Sequence, residues 1–449
     1  MTEDATPLEV QVDRWRDYVR RHRAIAPADV DEMTDHLRER IDDLRATGLD
    51  DEEAFLVAVK RMGRLDAVSR EFAREHSERL WKQLVLPPGG DATTARPGWR
   101  ELGIVLALGL GAGLTVRLGV ATLSEDALLR NVVLLVAPYL LAYFVWKRRP
   151  PVALVTALAG ILAALAAVVN LYPFTPGGST ELLAAVHAPV VVWAAVGVAY
   201  AGGRWRSADR RMDFVRFTGE LAIYVVLLAL GGGVLLGLTA GLLNLVDVDL
   251  EPAMGQWILP FCVPGAVLVA AWLVEAKQEV VENIAPVLTR VFTPLTTVTL
   301  AVSFVVLAAA GGLADVDREL LILLDAVLIL VLALLLYSIS ARDPLARPGV
   351  FDGLQLALVV AALAVDALAL TAMLTRIAEF GASPNKVAAL GLNLLLLVHL
   401  VRTGWLLLQF CRRRRGFGAL ERWQTRYLPV YALWAAVVVV AFGPVFAFA

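Results

Sequence analysis

The feature that most constrains this chain is a succession of apolar runs, each about 20 residues long and so able to cross the hydrocarbon layer of a bilayer as one helix. They lie near 101–122, 127–146, 151–171, 181–201, 219–245, 257–275, 291–313, 319–340, 352–375, 386–410 and 427–448. Inside lipid every backbone N–H and C=O must find a partner within the protein, and continuous apolar runs of this length satisfy that as helices. The expected fold is therefore all-α, a polytopic transmembrane helical bundle of about eleven spans. The first run is the weakest, because Arg117 interrupts it. The runner-up is ten spans, with that first segment lying on the membrane surface.

Charge separates the chain into two parts. Of 84 Lys, Arg, Asp and Glu residues, 38 lie in the first 100 positions and 46 in the remaining 349. A soluble prefix followed by a lipid-embedded remainder is the simplest reading, with membrane lipids as the surroundings of the second part. The net charge of −2 excludes a general nucleic-acid binder, which needs a basic surplus against phosphate. The prefix has no apolar core of a signal peptide, so the first apolar helix is expected to act as the insertion signal. Cys262 and Cys411 read as small hydrophobes, since two cysteines make no disulfide framework.

Basic residues set the orientation. With the N-terminus inside, about 18 Lys and Arg residues fall in inner loops. They include Lys147 to Arg149, Arg204 to Arg216 and Arg412 to Arg415. Only Arg117, Arg130, Arg318, Arg376 and Lys386 fall outside. The positive-inside rule then places a multi-pass protein in the plasma membrane with a cytoplasmic N-terminus and an extracytoplasmic C-terminus. The segment around Glu275, Glu279 and Glu282 reads as an interfacial amphipathic helix bent at Pro286.

Residues 1–88 are expected to form a small bundle of four helices, followed by a linker at 89–100. Val30, Met33, Leu37, Ile41 and Leu44 follow helical spacing up to Gly48. Asp50 with Glu53 makes an acidic capping box, and Phe55, Ala58, Val59 and Met62 form the next stripe. The last helix starts near Asp66 and breaks at Pro87-Pro88. Fifteen basic and twenty acidic side chains make this unit acidic. His36-Leu37, Gly48-Leu49 and Asp51-Glu52-Glu53-Ala54-Phe55 resemble the HAAS or permease-prefix domain, an all-helical bundle that precedes bacterial membrane proteins, often encoded beside PadR-type regulators. That resemblance covers about a fifth of the chain and implies docking of a cytoplasmic protein partner.

A second resemblance lies in the membrane part. Asn283-Ile284-Ala285-Pro286, Arg290 to Leu295, Arg376-Ile377-Ala378-Glu379-Phe380-Gly381, Ser383-Pro384-Asn385-Lys386 and Asn393 are similar to motifs of a polytopic bacterial membrane family of unknown function. Ser383 and Lys386 stand where that pattern has Thr and Arg. The resemblance spans about 130–448 and implies no activity.

Soluble-type catalytic motifs are missing. The chain has no P-loop, no G-x-S-x-G elbow and no H-E-x-x-H, and its five histidines have no metal-ligand spacing. No enzyme activity, cofactor or metal is expected. Polar residues within the spans are the remaining clue, because each is expensive in lipid. Asp325, Asp366, Asn393, His399 and Arg402 form a candidate buried cluster. Asp325 and Asp366 are expected at one depth, facing the tenth helix, either sharing a proton or taking His399 or Arg402 as counter-charge. Glu220 reads as interfacial, and Asn131 and Asn170 are weaker candidates. For any one carboxylate an interhelical hydrogen bond is the plain structural role, and a proton or cation relay is the functional one.

Arg376, Glu379, Asn385 and Lys386 form a candidate outer-turn motif. An Arg376–Glu379 pair, a Gly381 stop and a Ser383 cap before Pro384 explain most of it. An anion or ligand site at the tenth helix is the sharper alternative. The favoured functional expectation is a non-enzymatic signalling or partner-docking membrane component. The alternative is a secondary transporter or permease using buried carboxylates, against which the chain shows no internal repeat. A membrane-embedded transferase comes third.

Overall fold

A computed structural model describes residues 8–9, 11–13, 16, 27–46, 49–61, 99–245, 250–276, 284–309, 318–342 and 346–449. Every regular element among them is a helix. Two units divide between Arg96 and Pro97.

In the first unit, α1 spans Pro27–Ala46 and α2 spans Asp51–Arg61. Asp50 starts α2 by accepting a hydrogen bond from the Glu53 N–H at 2.8 Å. Leu37, Ile41 and Leu44 on one face of α1 close on Ala54 and Ala58 of α2, with Val12 completing the core. Of the expected stripe of α2, Ala58 is in the core and Phe55 packs partly buried against it, with Ala54 fully buried beside them; the side chains of Val59 and Met62 lie outside the described residues. The expected fourth helix and the linker up to residue 98 lie outside the described residues.

The second unit contains α3 (Trp99–Thr122), α4 (Glu125–Arg148), α5 (Val152–Leu171), α6 (Ser179–Tyr200), α7 (Ala208–Asn244) and α8 (Glu251–Ala276). It continues with α9 (Ile284–Ala309), α10 (Arg318–Ser340), α11 (Val350–Phe380), α12 (Pro384–Cys411) and α13 (Gly418–Val445). Ten of these, α3 to α8 and α10 to α13, are long and apolar enough to cross a membrane among the described residues. The expected eleventh is α9. Its described apolar stretch, Thr289–Val305, is shorter than a span, and residues 310–313 lie outside the described residues. The first segment does qualify, contrary to the ten-span alternative. It tolerates Arg117 because the guanidinium lies over the Trp257 ring, 4.6 Å from its centroid. Trp257 sits in a π-helical turn at Met254–Ile258 that re-aims it.

One further expectation changes, and another lies largely outside the described residues. From Ile284 onward the chain belongs to α9, with Pro286 in its first turn. Residues 277–283 lie outside the described residues. The fifth span begins at Ala208, eleven residues earlier than its apolar run, so Arg210, Arg211 and Arg216 are helical. Glu220 therefore does not start the helix; it lies twelve residues inside α7 and is only 3% exposed.

Two main cores result. One joins α3 to α8 around Tyr143, Phe144, Phe217 and Leu268. The other joins α9 to α12 around Leu328, Leu358, Val365 and Leu400. Helix α13 packs on both α6 and α12. Gly391 lets it come close, since a Cβ there would collide with Trp434.

Candidate functional site

Among the described residues, Asp366, Asn393, His399, Thr403, Gln424 and Thr425 form a run of buried polar side chains on α11, α12 and α13. Along α12, at about 100° per residue, Asn393, Leu396, His399, Leu400 and Thr403 fall on one arc, and all five are buried. The Asn393 amide donates to Asp325 Oδ1 at 2.8 Å and to the Ala389 carbonyl at 3.0 Å. Asp325 is half-buried. Asp366 of α11 is 0% exposed, and neither of its carboxylate oxygens has a hydrogen-bond partner among the described residues. The Asn393 Oδ1 is buried and unpartnered as well. Asp366 is within electrostatic reach of both Asp325 and Tyr431. Counted from the Ser340–Val350 connection, Asp325 is 15 residues back and Asp366 16 residues on. Both are therefore about 23 Å from that end, and the expected common depth holds.

The expected counter-charges do not. His399 is 0% exposed and bonds elsewhere. Its Nε2 lies 2.8 Å from Gln424 Oε1, and its Nδ1 lies 3.0 Å from the Tyr431 hydroxyl. An amide oxygen only accepts, so Nε2 carries the proton and Nδ1 accepts from Tyr431. Gln424 in turn donates to Thr403 Oγ1 at 2.9 Å. This makes a one-way chain from Tyr431 through His399 and Gln424 to Thr403. Arg402 is exposed and lies over the Trp405 ring, 4.4 Å from its centroid. It stands about 60° past His399 on the side away from Asn393, so sharing an i, i+3 relation with His399 does not bring it inward.

The outer-turn motif meets Asp325 in a cavity of about 410 Å³ between α6, α10, α11 and α12. Asp325, Arg376, Ser383, Asn385, Lys386 and His187 supply its polar lining, and Leu183, Ile322, Met373 and Leu392 are among its apolar walls. Gly381 stops α11 at φ 74°. Pro384 opens α12 as expected, but the Ser383 side chain makes no capping bond, a correction to the expected cap. The Lys386 ammonium instead holds the turn, donating to the Gly381 carbonyl at 2.9 Å and the Arg376 carbonyl at 3.3 Å. Asn385 donates to Ser179 Oγ at 3.0 Å and ties α12 to the start of α6. Glu379 is exposed and does not line the cavity.

Sequence reasoning missed His187, Gln424 and Tyr431. His187 sits amid the apolar run of α6, where its Nδ1 lies 2.8 Å from the Leu183 carbonyl. That fixes the proton on Nδ1 and leaves Nε2 as an acceptor. Its isolation in lipid was the available signal. Asn131 and Asn170 pair with each other through two reciprocal 2.8 Å bonds, a closed structural contact.

At the opposite end of the bundle, a recess of about 250 Å³ is lined by Asp209, Asp213, Arg216, Glu421 and Arg422 among others. It shares no lining residue with the first cavity. No family model, no curated protein and no solved structure matches the chain.

Proposed function

We propose that this multi-span helical membrane protein is a secondary transporter, with the α6–α10–α11–α12 cavity as its substrate site and Asp366 as its coupling group. One observation carries the reading, the fully buried Asp366 carboxylate with no hydrogen-bond partner among the described residues. A bare carboxylate in such surroundings costs far more than a paired one. A proton or a small cation removes that cost, and its loss restores it. A group of this kind couples an ion to a change of shape. Asp325 beside the cavity, Tyr431 on α13 and the Asn393 oxygen face the same region. The cavity lies toward one end of the bundle and shares no lining residue with the recess at the other. The polar chain from Tyr431 to Thr403 lies in the layer between.

This reading departs from the signalling role that the sequence favours. The acidic module of residues 1–88 keeps a narrower part, docking a cytoplasmic protein that regulates the membrane domain. Orientation with Lys386 extracytoplasmic follows from the charge distribution.

Spin labels at Leu182→Cys and Ile322→Cys, both exposed residues lining the cavity, test the reading after removal of Cys262 and Cys411. In reconstituted full-length protein, pulsed dipolar spectroscopy should resolve two distance populations whose ratio changes on acidification or sodium addition. Asp366→Asn should collapse them to one. A single distribution that ignores pH, sodium and Asp366→Asn would overturn coupled transport.

A further inference from the structure

The cavity carries both signs of charge, and they are placed in order along its depth. Lys386 is in the first turn of α12. Its ammonium contacts two backbone carbonyls and the Phe380 ring and has no ion-pair partner among the described residues. Arg376 is one turn inside the end of α11. Asp325 lies seven residues inside α10, about 10 Å from its start. His187, eight residues inside α6, lines the same depth with an acceptor nitrogen. Between these levels the walls are apolar. The rim is therefore cationic, and the inner level offers a carboxylate and a neutral acceptor. The volume, about 410 Å³, suits a small molecule.

We infer that the cavity binds a small zwitterion with an apolar body, of the apolar α-amino acid class. Its carboxylate meets Lys386 and Arg376 at the rim, and its ammonium meets Asp325 and His187 below. The side chain lies against Leu183, Ile322, Met373 and Leu392. Neither an anion nor a cation alone uses the cavity fully. An anion leaves Asp325 facing an apolar tail, and a cation leaves Lys386 and Arg376 facing one. The second, uncapped observation agrees: the Ser383 hydroxyl lines the cavity and makes no bond to its own helix, so it remains available to a carboxylate.

This inference rests on reading the cavity as a substrate site, but its test needs no transport. Full-length protein in phosphatidylcholine–phosphatidylglycerol nanodiscs is titrated calorimetrically with leucine, leucine methyl ester and 4-methylpentanoate. The ester lacks the negative end and the acid lacks the positive end. Leucine should bind about 10- to 100-fold more tightly than either, the worth of one charge-assisted contact. Asp325→Asn should bring leucine and 4-methylpentanoate to similar affinities. Lys386→Gln should do the same for leucine and its ester, and it stands alone as the test if Asp325→Asn does not fold. No leucine binding, or equal binding of all three by the wild type, overturns the proposal. Co-purified phosphatidylethanolamine that leucine fails to displace assigns the cavity to a lipid headgroup and likewise overturns it. Loss of leucine binding with intact two-population spin-label data would leave coupled transport standing and remove only the amino acid.

Discussion

The helices around Phe144 and the helices around Asp366 solve the same problem in opposite ways. In the first group the interior is aromatic and aliphatic. Phe144 meets Tyr143, Tyr200 and Phe217 edge-on at centroid distances of 5.1 to 5.3 Å. Its buried ion pairs sit near the helix ends. Glu181 joins Arg130 at one end. At the other, Glu275, 2% exposed as a side chain, takes Arg148 at 2.8 Å and Lys147 at 3.3 Å. In the second group polar residues lie deep, and the Asp366 carboxylate, 0% exposed, has no hydrogen-bond partner among the described residues. The first arrangement serves cohesion. The second stores an unmet demand for charge or protons at mid-bundle, which is what a working site needs and a scaffold avoids.

The contrast breaks most visibly through Glu275. Glu275→Gln leaves Arg148 without its buried anion, although Lys147 keeps Glu101 at 2.8 Å, and should cost about 3–5 kcal/mol. The check is unfolding in a detergent–sodium dodecyl sulfate mixture. A loss under about 1 kcal/mol would place this pair with solvent-screened ion pairs and erase the cohesive role of the first group.

The same operation in the second group should have the opposite sign. Asp366→Leu removes an unpartnered buried polar group and supplies packing, so the protein should gain about 1–3 kcal/mol. The variant should also lose the response of the cavity to pH or sodium. Higher stability with lost function is the mark of a functional carboxylate. A destabilised Asp366→Leu would make Asp366 a structural partner like Glu275.

How much of this was written in the sequence follows from what each signal encodes. Length and hydropathy encode span number, and only α9 departs from expectation. Residue count along a helix encodes depth, and Asp325 and Asp366 share theirs. Rotation is encoded weakly when a helix is apolar on all sides. Arg402 was expected to face inward with His399, and the arc set by Asn393, Leu396 and Thr403 turns it outward. Long-range partners are not encoded at all. Nothing local joins His399 to Gln424, 25 residues away, or Asp325 to Arg376 in one cavity. Those meetings depend on which helices become neighbours.

The finest comparison sets one asparagine against another. Asn131 on α4 and Asn170 on α5 each use both ends of the amide on the other, at 2.8 Å both ways, and each also donates to its own helix. Asn393 uses only its donors, on Asp325 and Ala389, and its oxygen stays unpartnered. Asn131→Leu should cost about 0.6 kcal/mol, and at most about 1.7, as interhelical hydrogen bonds in membranes do. Adding Asn170→Leu should recover most of that loss, because the orphaned amide disappears with it. For Asn393→Leu the recovery partner is not another structural amide but Asp325 itself. The double variant Asn393→Leu with Asp325→Leu should regain stability while losing binding at the cavity. Steric-matched apolar pairs in both places thus give equal stability outcomes and unequal functional ones. If the Asn131 and Asn170 pair also abolished the cavity response, the division into a cohesive group and a working group would fail.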